Sequence, residues 1–236
     1  MVLASKVLWI AGIAGGAAAL SATMTPTTTP RRVVLFDVMD TLVRDPFFMG
    51  MHEDVFGFES LEALYAESDR EAYEAFETGA IGEAELWRRY YRAGSARPAP
   101  DGARAVAYLK DRYEYVAHMR SMLGELKRIG DVEVYAFSNY GPYWKLIEEK
   151  LELSRYLDWK FVSCETGLRK PDPRAFRDVI DTLGVDLASD TVVFVDDSAT
   201  NCEAARSLGI DAIRFDGDSA VCRTALIGLG FTELRV

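Results

Sequence analysis

The sequence predicts an α/β fold, a doubly wound parallel sheet with a helical cap inserted after its first strand. Three observations carry this reading. From residue 119 onward, short runs of β-forming residues alternate with helical segments, the pattern of a parallel sheet with right-handed crossovers. Between the first strand and that alternation, residues 46 to about 118 offer amphipathic helices and no convincing strand. Four strand-like runs end in polar or charged residues, which puts those groups on one edge of the sheet, where open α/β folds place their chemistry.

The chain opens with an uncharged apolar run of 14 residues, Val7 to Leu20, behind Lys6. A helix that spans a bilayer needs about 20. Small residues around Ser21-Ala22-Thr23 suit the end of a cleavable signal, and Thr23 to Pro30 reads as an extended Thr/Pro linker. Residues 1–31 are therefore expected to form a targeting or anchor segment that contacts a membrane or an import machinery. The address stays open between the secretory pathway and an organelle, a plastid included.

The first strand is Val33 to Phe36, ended by Asp37. Ser60 then stands as an N-cap before Leu61, Leu64 and Tyr65, and Ala72, Tyr73 and Phe76 continue helical spacing to Gly79. Glu83 to Tyr91 puts Leu86, Trp87 and Tyr90 on one side. Ala103 to Val116 is expected as a helix with Ala107, Leu109 and Tyr113 inward. The alternation follows: helix Met119 to Ile129, strand Val132 to Ser138, helix Tyr143 to Leu153, strand Phe161 to Ser163. Helix Pro173 to Leu183 starts on a proline whose missing N–H costs nothing there. Strand Val192 to Val195, helix Ala199 to Leu208 before Gly209, and strand Ala212 to Phe215 complete it. The expected division is a core of residues 32–45 and 119–236 with a cap of 46–118.

Composition bounds the function. Of 236 residues, 49% are hydrophobic, enough for one core and a small second unit. The formal net charge is −10, and the first 32 residues carry +3 with no acid, leaving −13 on the remainder. An acidic body argues against nucleic acid as a partner. Cys164, Cys202 and Cys222 lack metal-ligand spacing and are expected reduced and mostly buried.

The polar strand ends are Asp37 with Thr41, Ser138-Asn139, Lys170 within Gly167-Leu168-Arg169-Lys170-Pro171-Asp172-Pro173, and Asp196-Asp197. Each alone reads as a turn or a helix cap. Together, in this order, they resemble the four motifs of the haloacid dehalogenase (HAD) superfamily, with its Rossmann-like core, over roughly 180 residues. Phe76 to Ile81 followed by Glu83 to Tyr91 is similar to the small helical cap of one branch. The resemblance implies that Asp37 attacks phosphorus to form an aspartyl phosphate. It implies that Thr41, Ser138, Asn139 and Lys170 bind the phosphoryl group. It further implies that Mg²⁺ sits on Asp37, Asp196, Asp197 and the carbonyl oxygen of Met39. A small phosphorylated compound is the expected substrate. The charges suit that chemistry: a carboxylate attacking a phosphate dianion needs positive charge around it, and Mg²⁺ takes oxygen ligands while keeping waters.

One departure stands out. Most phosphatases of that superfamily carry a second Asp, the general acid and base, where this chain has Met39. Such help is typically worth about 10²–10⁴-fold, so an impaired phosphatase is expected, with Asp40 as the nearest substitute. The alternative is a weak or inactive phosphate- and metal-binding protein. A 2-haloacid dehalogenase ranks lower, because Asp196-Asp197 would be uncompensated in a metal-free pocket and Phe176 stands where that branch has Tyr. Arg44, Arg88 and Arg89 are further candidates for a substrate anion. His52 and His118 show no ligand pattern.

Overall fold

Val33, Val34, Leu35 and Phe36 are all fully buried, because strand β1 (Arg32–Phe36) is covered on both faces. Val33 and Leu35 join one apolar layer and Val34 and Phe36 the other, as the two-residue period of a strand requires. The computed structural model describes residues 29–235. The targeting or anchor segment expected at 1–31 therefore falls, but for its last three residues, outside the described residues. Among the described residues, no helix is long and apolar enough to cross a membrane.

The chain continues through α1 (Met51–Asp54), α2 (Leu61–Glu67), α3 (Arg70–Glu77), α4 (Glu83–Arg89) and α5 (Gly102–Arg112) before α6 (Met119–Ile129). Then come β2 (Val132–Ser138), α7 (Trp144–Leu151), β3 (Asp158–Val162), α8 (Ser163–Thr166) and α9 (Pro173–Leu183). The last elements are β4 (Thr191–Asp196), α10 (Ala199–Ser207), β5 (Asp211–Arg214) and α11 (Ser219–Gly228). The sheet has five strands in the order β3-β2-β1-β4-β5, every pairing parallel. The chain thus runs outward from β1 through β2 and β3, then returns to β1's other side. That reversal opens a crevice between β1 and β4 at the carboxyl edge.

The helices form where the sequence marks them. Ser60 and Asp69 accept N–H bonds from Ala63 and Ala72 and so start α2 and α3. Asp172 does the same for Arg174 at α9, with Pro173 in the first turn. Two expectations need correction. The helix expected to reach Val116 ends at Arg112, and the chain beyond it pairs with the segment after β1: Arg44 N–H bonds Glu114 O, and Val116 N–H bonds Leu42 O. The inward residues of α5 are Ala105, Tyr108 and Leu109, while Ala107 is exposed. Helix α11, closing the chain behind the N-cap Asp218, was not anticipated.

Two glycines let the inserted helices press on the sheet. A Cβ on Gly141, after β2, would collide with the Phe76 ring of α3, and one on Gly79 would strike the Cys164 backbone. Gly79 also holds φ of +71°, a conformation costly for other residues. All three cysteines are free, with Cys202 and Cys222 buried and Cys164 half-buried.

Candidate active site

Asp37 extends the ladder of β1 by donating its N–H to Val195 O of β4 at 2.8 Å. Its carboxylate therefore stands at the β1/β4 crevice. Beyond it, the N–H groups of Leu42 and Val43 both bond Val38 O, and Asp40 adopts φ of +52° to close the turn. A left-handed Asp is tolerated where its side chain bonds locally. Here Asp40 Oδ1 accepts the Asp45 N–H at 2.9 Å. Asp40 thus holds the loop together, and Met39 packs half-buried against the core.

Lys170 is the charge centre. It is buried, and its Nζ donates to Asp37 Oδ1 at 2.8 Å, to Asp196 Oδ2 at 2.7 Å and to Phe137 O at 2.6 Å. Three acceptors use all three ammonium donors. Asn139 fixes the Lys170 backbone: its Oδ1 accepts the Lys170 N–H at 2.8 Å, and its Nδ2 donates to the Lys170 carbonyl at 2.7 Å. The family resemblance puts Asn139 at the phosphate, whereas in the fold both ends of its amide engage the Lys170 backbone. Asp196 is fully buried and accepts from Ser198 N–H at 2.8 Å and from Asn201 Nδ2 at about 3.0 Å.

Asp37, Asp196 and the exposed Asp197 each offer a carboxylate oxygen within 4.8 Å of the others. Burial pushes the Asp37 carboxyl well above its ordinary range, against the pull of Lys170 and aided by Asp196. Burial, then Asp196, also raises Asp197. Burial disfavours the Lys170 charge, but Asp37 and Asp196 outweigh it and hold its pKa above the ordinary value. One cation among three carboxylates leaves the site short of positive charge. An all-oxygen donor set with that deficit fits a hard divalent cation such as Mg²⁺.

Thr41 Oγ1 and Ser138 Oγ are buried and have no partner. Buried hydroxyls are seldom left so. Both would be satisfied by the oxygens of a phosphoryl group.

Next to these residues lies a cavity of about 670 Å³ lined by Asp45, Phe47, Phe48, Tyr65, Tyr73 and Arg169, among others. The Phe47 and Tyr65 rings stack with centroids 5.9 Å apart. The cavity does not touch Asp37. It borders the site through Asp45 and through Arg169, the neighbour of Lys170 in sequence. Arg169 pairs with Glu77 at 2.7 Å and Glu74 at 3.3 Å. The arginines picked from the sequence do not line it: Arg44 pairs with Glu114, Arg88 with Glu85, and Arg89 with Asp69. Of the cap aromatics, Tyr90 lines it, Trp87 packs on Gly102, and Tyr91 is half-buried. His52 is half-buried and His118 exposed; neither joins the acidic cluster. Asp45, Arg169 and Asn201 were missed by the sequence reading. The signal for Asn201 was its place three residues into the helix that follows Asp196-Asp197.

The fold and the acidic edge define a class. Residues 31–209 match the model of the haloacid dehalogenase-like hydrolases, and the chain belongs to that family. A chloroplast flavin mononucleotide hydrolase from Arabidopsis thaliana is 35% identical over 81% of this chain and 75% of its own. A sesquiterpene phosphatase from Aspergillus oryzae is 29% identical over 69% of this chain and 82% of its own. Among solved structures, a HAD family enzyme from Bacteroides thetaiotaomicron, in complex with magnesium and inorganic phosphate, shares the fold. Its TM-score is 0.61 at 20% identity, covering 81% of this chain and 98% of that one.

Proposed function

We propose that this protein is a Mg²⁺-dependent phosphomonoesterase for a small phosphorylated compound whose alcohol portion carries a flat, aromatic ring system. The observation that carries the reading is the meeting of Asp37, Lys170, Asp196 and Asp197 beside two unpartnered hydroxyls, Thr41 and Ser138. The aromatic cavity beside them and the flavin mononucleotide hydrolase named above support the leaving-group class. Residues 46–118 act as a cap that excludes water from the reacting centre.

Asp37 attacks phosphorus from the end of β1, forming an acyl phosphate and releasing the alcohol. Water then attacks that phosphorus and frees Asp37, so one hard displacement becomes two easier ones. Lys170 holds Asp37 in line and accompanies the charge on the transferring oxygens. Thr41 and Ser138 hydroxyls donate to those oxygens. Mg²⁺, held by Asp37, Asp196, Asp197 and the Met39 carbonyl, would supply the remaining positive charge. Asn139 and Asn201 keep Lys170 and Asp196 in place.

The test is hydrolysis of an aryl phosphate by the full-length protein, with and without Mg²⁺, beside Asp37→Asn. Mg²⁺-dependent turnover lost in the variant is expected, and turnover that survives it would remove Asp37 as nucleophile. A second reading, a phosphate- and metal-binding protein with negligible turnover, is favoured by Met39 alone. It requires no hydrolysis of any phosphate, yet a thermal shift with Mg²⁺ and a phosphate mimic. A plastid address is in keeping with the acid-free N-terminus and the chloroplast relative. Imaging of residues 1–30 fused to a fluorescent protein checks it.

A further inference from the structure

We infer that Asp45 is the general acid and base of this site, doing from the loop after β1 what the side chain of Met39 cannot. The inference rests on the phosphatase reading above.

Met39 has no proton to give, and Asp40 is turned onto its own loop, where its carboxylate receives the Asp45 N–H. That bond draws the loop tight and presents the Asp45 side chain to the cavity, of which it forms part of the wall. One carboxylate oxygen, Oδ1, accepts the Phe47 N–H at 2.9 Å, capping the short turn Pro46–Phe48. The other, Oδ2, has no protein donor among the described residues. In this arrangement a substrate with its phosphoryl group at Asp37 and Lys170 extends its leaving group into the cavity that Asp45 and Arg169 border. Its bridging oxygen then passes the border that Asp45 occupies.

The surroundings keep Asp45 able to hold a proton. Burial, with Asp40 and Asp197 as neighbouring negative charges, pushes its carboxyl up to about 6, although the Phe47 N–H opposes this. The groups around it are Asp40 after β1, Asp197 after β4, Tyr65 of α2, Tyr73 of α3, Tyr113 after α5 and Tyr140 after β2. None is a cation. Three arginines share the cavity wall, and each is engaged: Arg169 pairs with Glu77 and Glu74, Arg70 pairs with Glu74, and Arg92 donates to the Tyr65 carbonyl. An acid tuned near the working pH is the efficient one.

The protons balance over two steps. As Asp37 bonds to phosphorus and the bond from phosphorus to the bridging oxygen breaks, that oxygen takes the Asp45 proton and leaves as an alcohol. Asp45, now a carboxylate, accepts a proton from water as the water oxygen bonds to phosphorus and the bond to Asp37 breaks.

The experiment compares kcat/KM of wild type, Asp45→Asn, Asp45→Glu and Asp40→Asn on phosphates ranging from a dinitrophenyl ester to a simple alkyl ester. Asn keeps the cap that starts the Pro46 turn, and circular dichroism verifies the fold. Asp45→Asn is expected to lose about 100-fold or more on the alkyl ester and only a few-fold on the dinitrophenyl ester. Wild-type activity on the alkyl ester should fall as pH rises through about 6, and this limb should vanish in the variant. Asp45→Glu should recover part of the loss. A loss equal across the series, or the leaving-group signature appearing in Asp40→Asn instead, overturns the assignment while the phosphatase reading stands. A wild type inert to the whole series overturns both.

Discussion

Asn139 grips Lys170 by both backbone polar groups, accepting its N–H at 2.8 Å and donating to its carbonyl at 2.7 Å. The residue after β2 thereby fixes where the β3–α9 connection delivers the one ammonium of the site. The lysine side chain has four rotatable carbons, and its value as a point charge depends on where its stem is rooted. Asn139→Ala is expected to lower kcat by about 10-fold or more with little change in KM. Two unpaired backbone groups should also destabilise the protein by about 1–3 kcal/mol. Steady-state kinetics and urea unfolding measure the two effects, and an unchanged kcat would show that the grip is structural only.

Lys170→Met probes the charge balance. It leaves the Asp37 and Asp196 carboxylates beside each other without their shared cation. Removing one partner of a buried ion pair typically costs about 3–5 kcal/mol. Urea unfolding at neutral pH should find a loss of that order, and added Mg²⁺ should recover part of it. A variant as stable as wild type would mean that the carboxylates shed their charge unaided.

Glu77 is buried under Arg169, and burial outweighs that arginine's pull to push its carboxyl up to about 7 from 4.5. The folded state therefore binds a proton that the unfolded state releases between those values. The stability contributed by Glu77 is fully present below 4.5 and is lost as pH rises through about 7. Thermal melts of wild type against Glu77→Gln should show the wild type losing ground across that interval. A gap that widens in favour of the wild type would mean that the Arg169 pair dominates.

Tyr65 is half exposed and stacks on Phe47 at the cavity wall. Tyr65→Ala should leave the fold intact and raise KM for aryl phosphates about 3- to 10-fold. Acetyl phosphate, which has no ring to stack, should be hydrolysed as before. Equal effects on both substrates would place the aromatic group elsewhere.

The sheet was legible because β1, β2 and β4 are apolar runs that end in polar residues, and burial on both faces leaves that mark in sequence. Asp37 and Asp196 could be read for the same reason, as one follows and the other ends an apolar strand, whereas Lys170 was legible through the Gly167 to Pro173 motif ahead of α9. Asp45 could not. Its place depends on the +52° turn at Asp40 and on the bond between the two residues, which no periodicity encodes. Arg169 has no pattern of its own in the sequence, and only packing of α3 against the loop shows that it reaches Glu77. Helix α11 was missed because its apolar side is modest: Cys222 and Leu226 are its only buried residues.

The register of the central strands has one more consequence. Phe36 lies opposite Val195, so Asp37 and Asp196 each stand one step past a paired position on neighbouring strands. The gap between Asp37 and the buried Asp196 is thus a repeat distance of the hydrogen-bonded ladder, about 4.8 Å, and no loop sets it. Such a ruler cannot drift without unzipping the middle of the sheet. The helices between β1 and α6 lie outside that ladder, so changes in them leave the Asp37–Asp196 spacing locked.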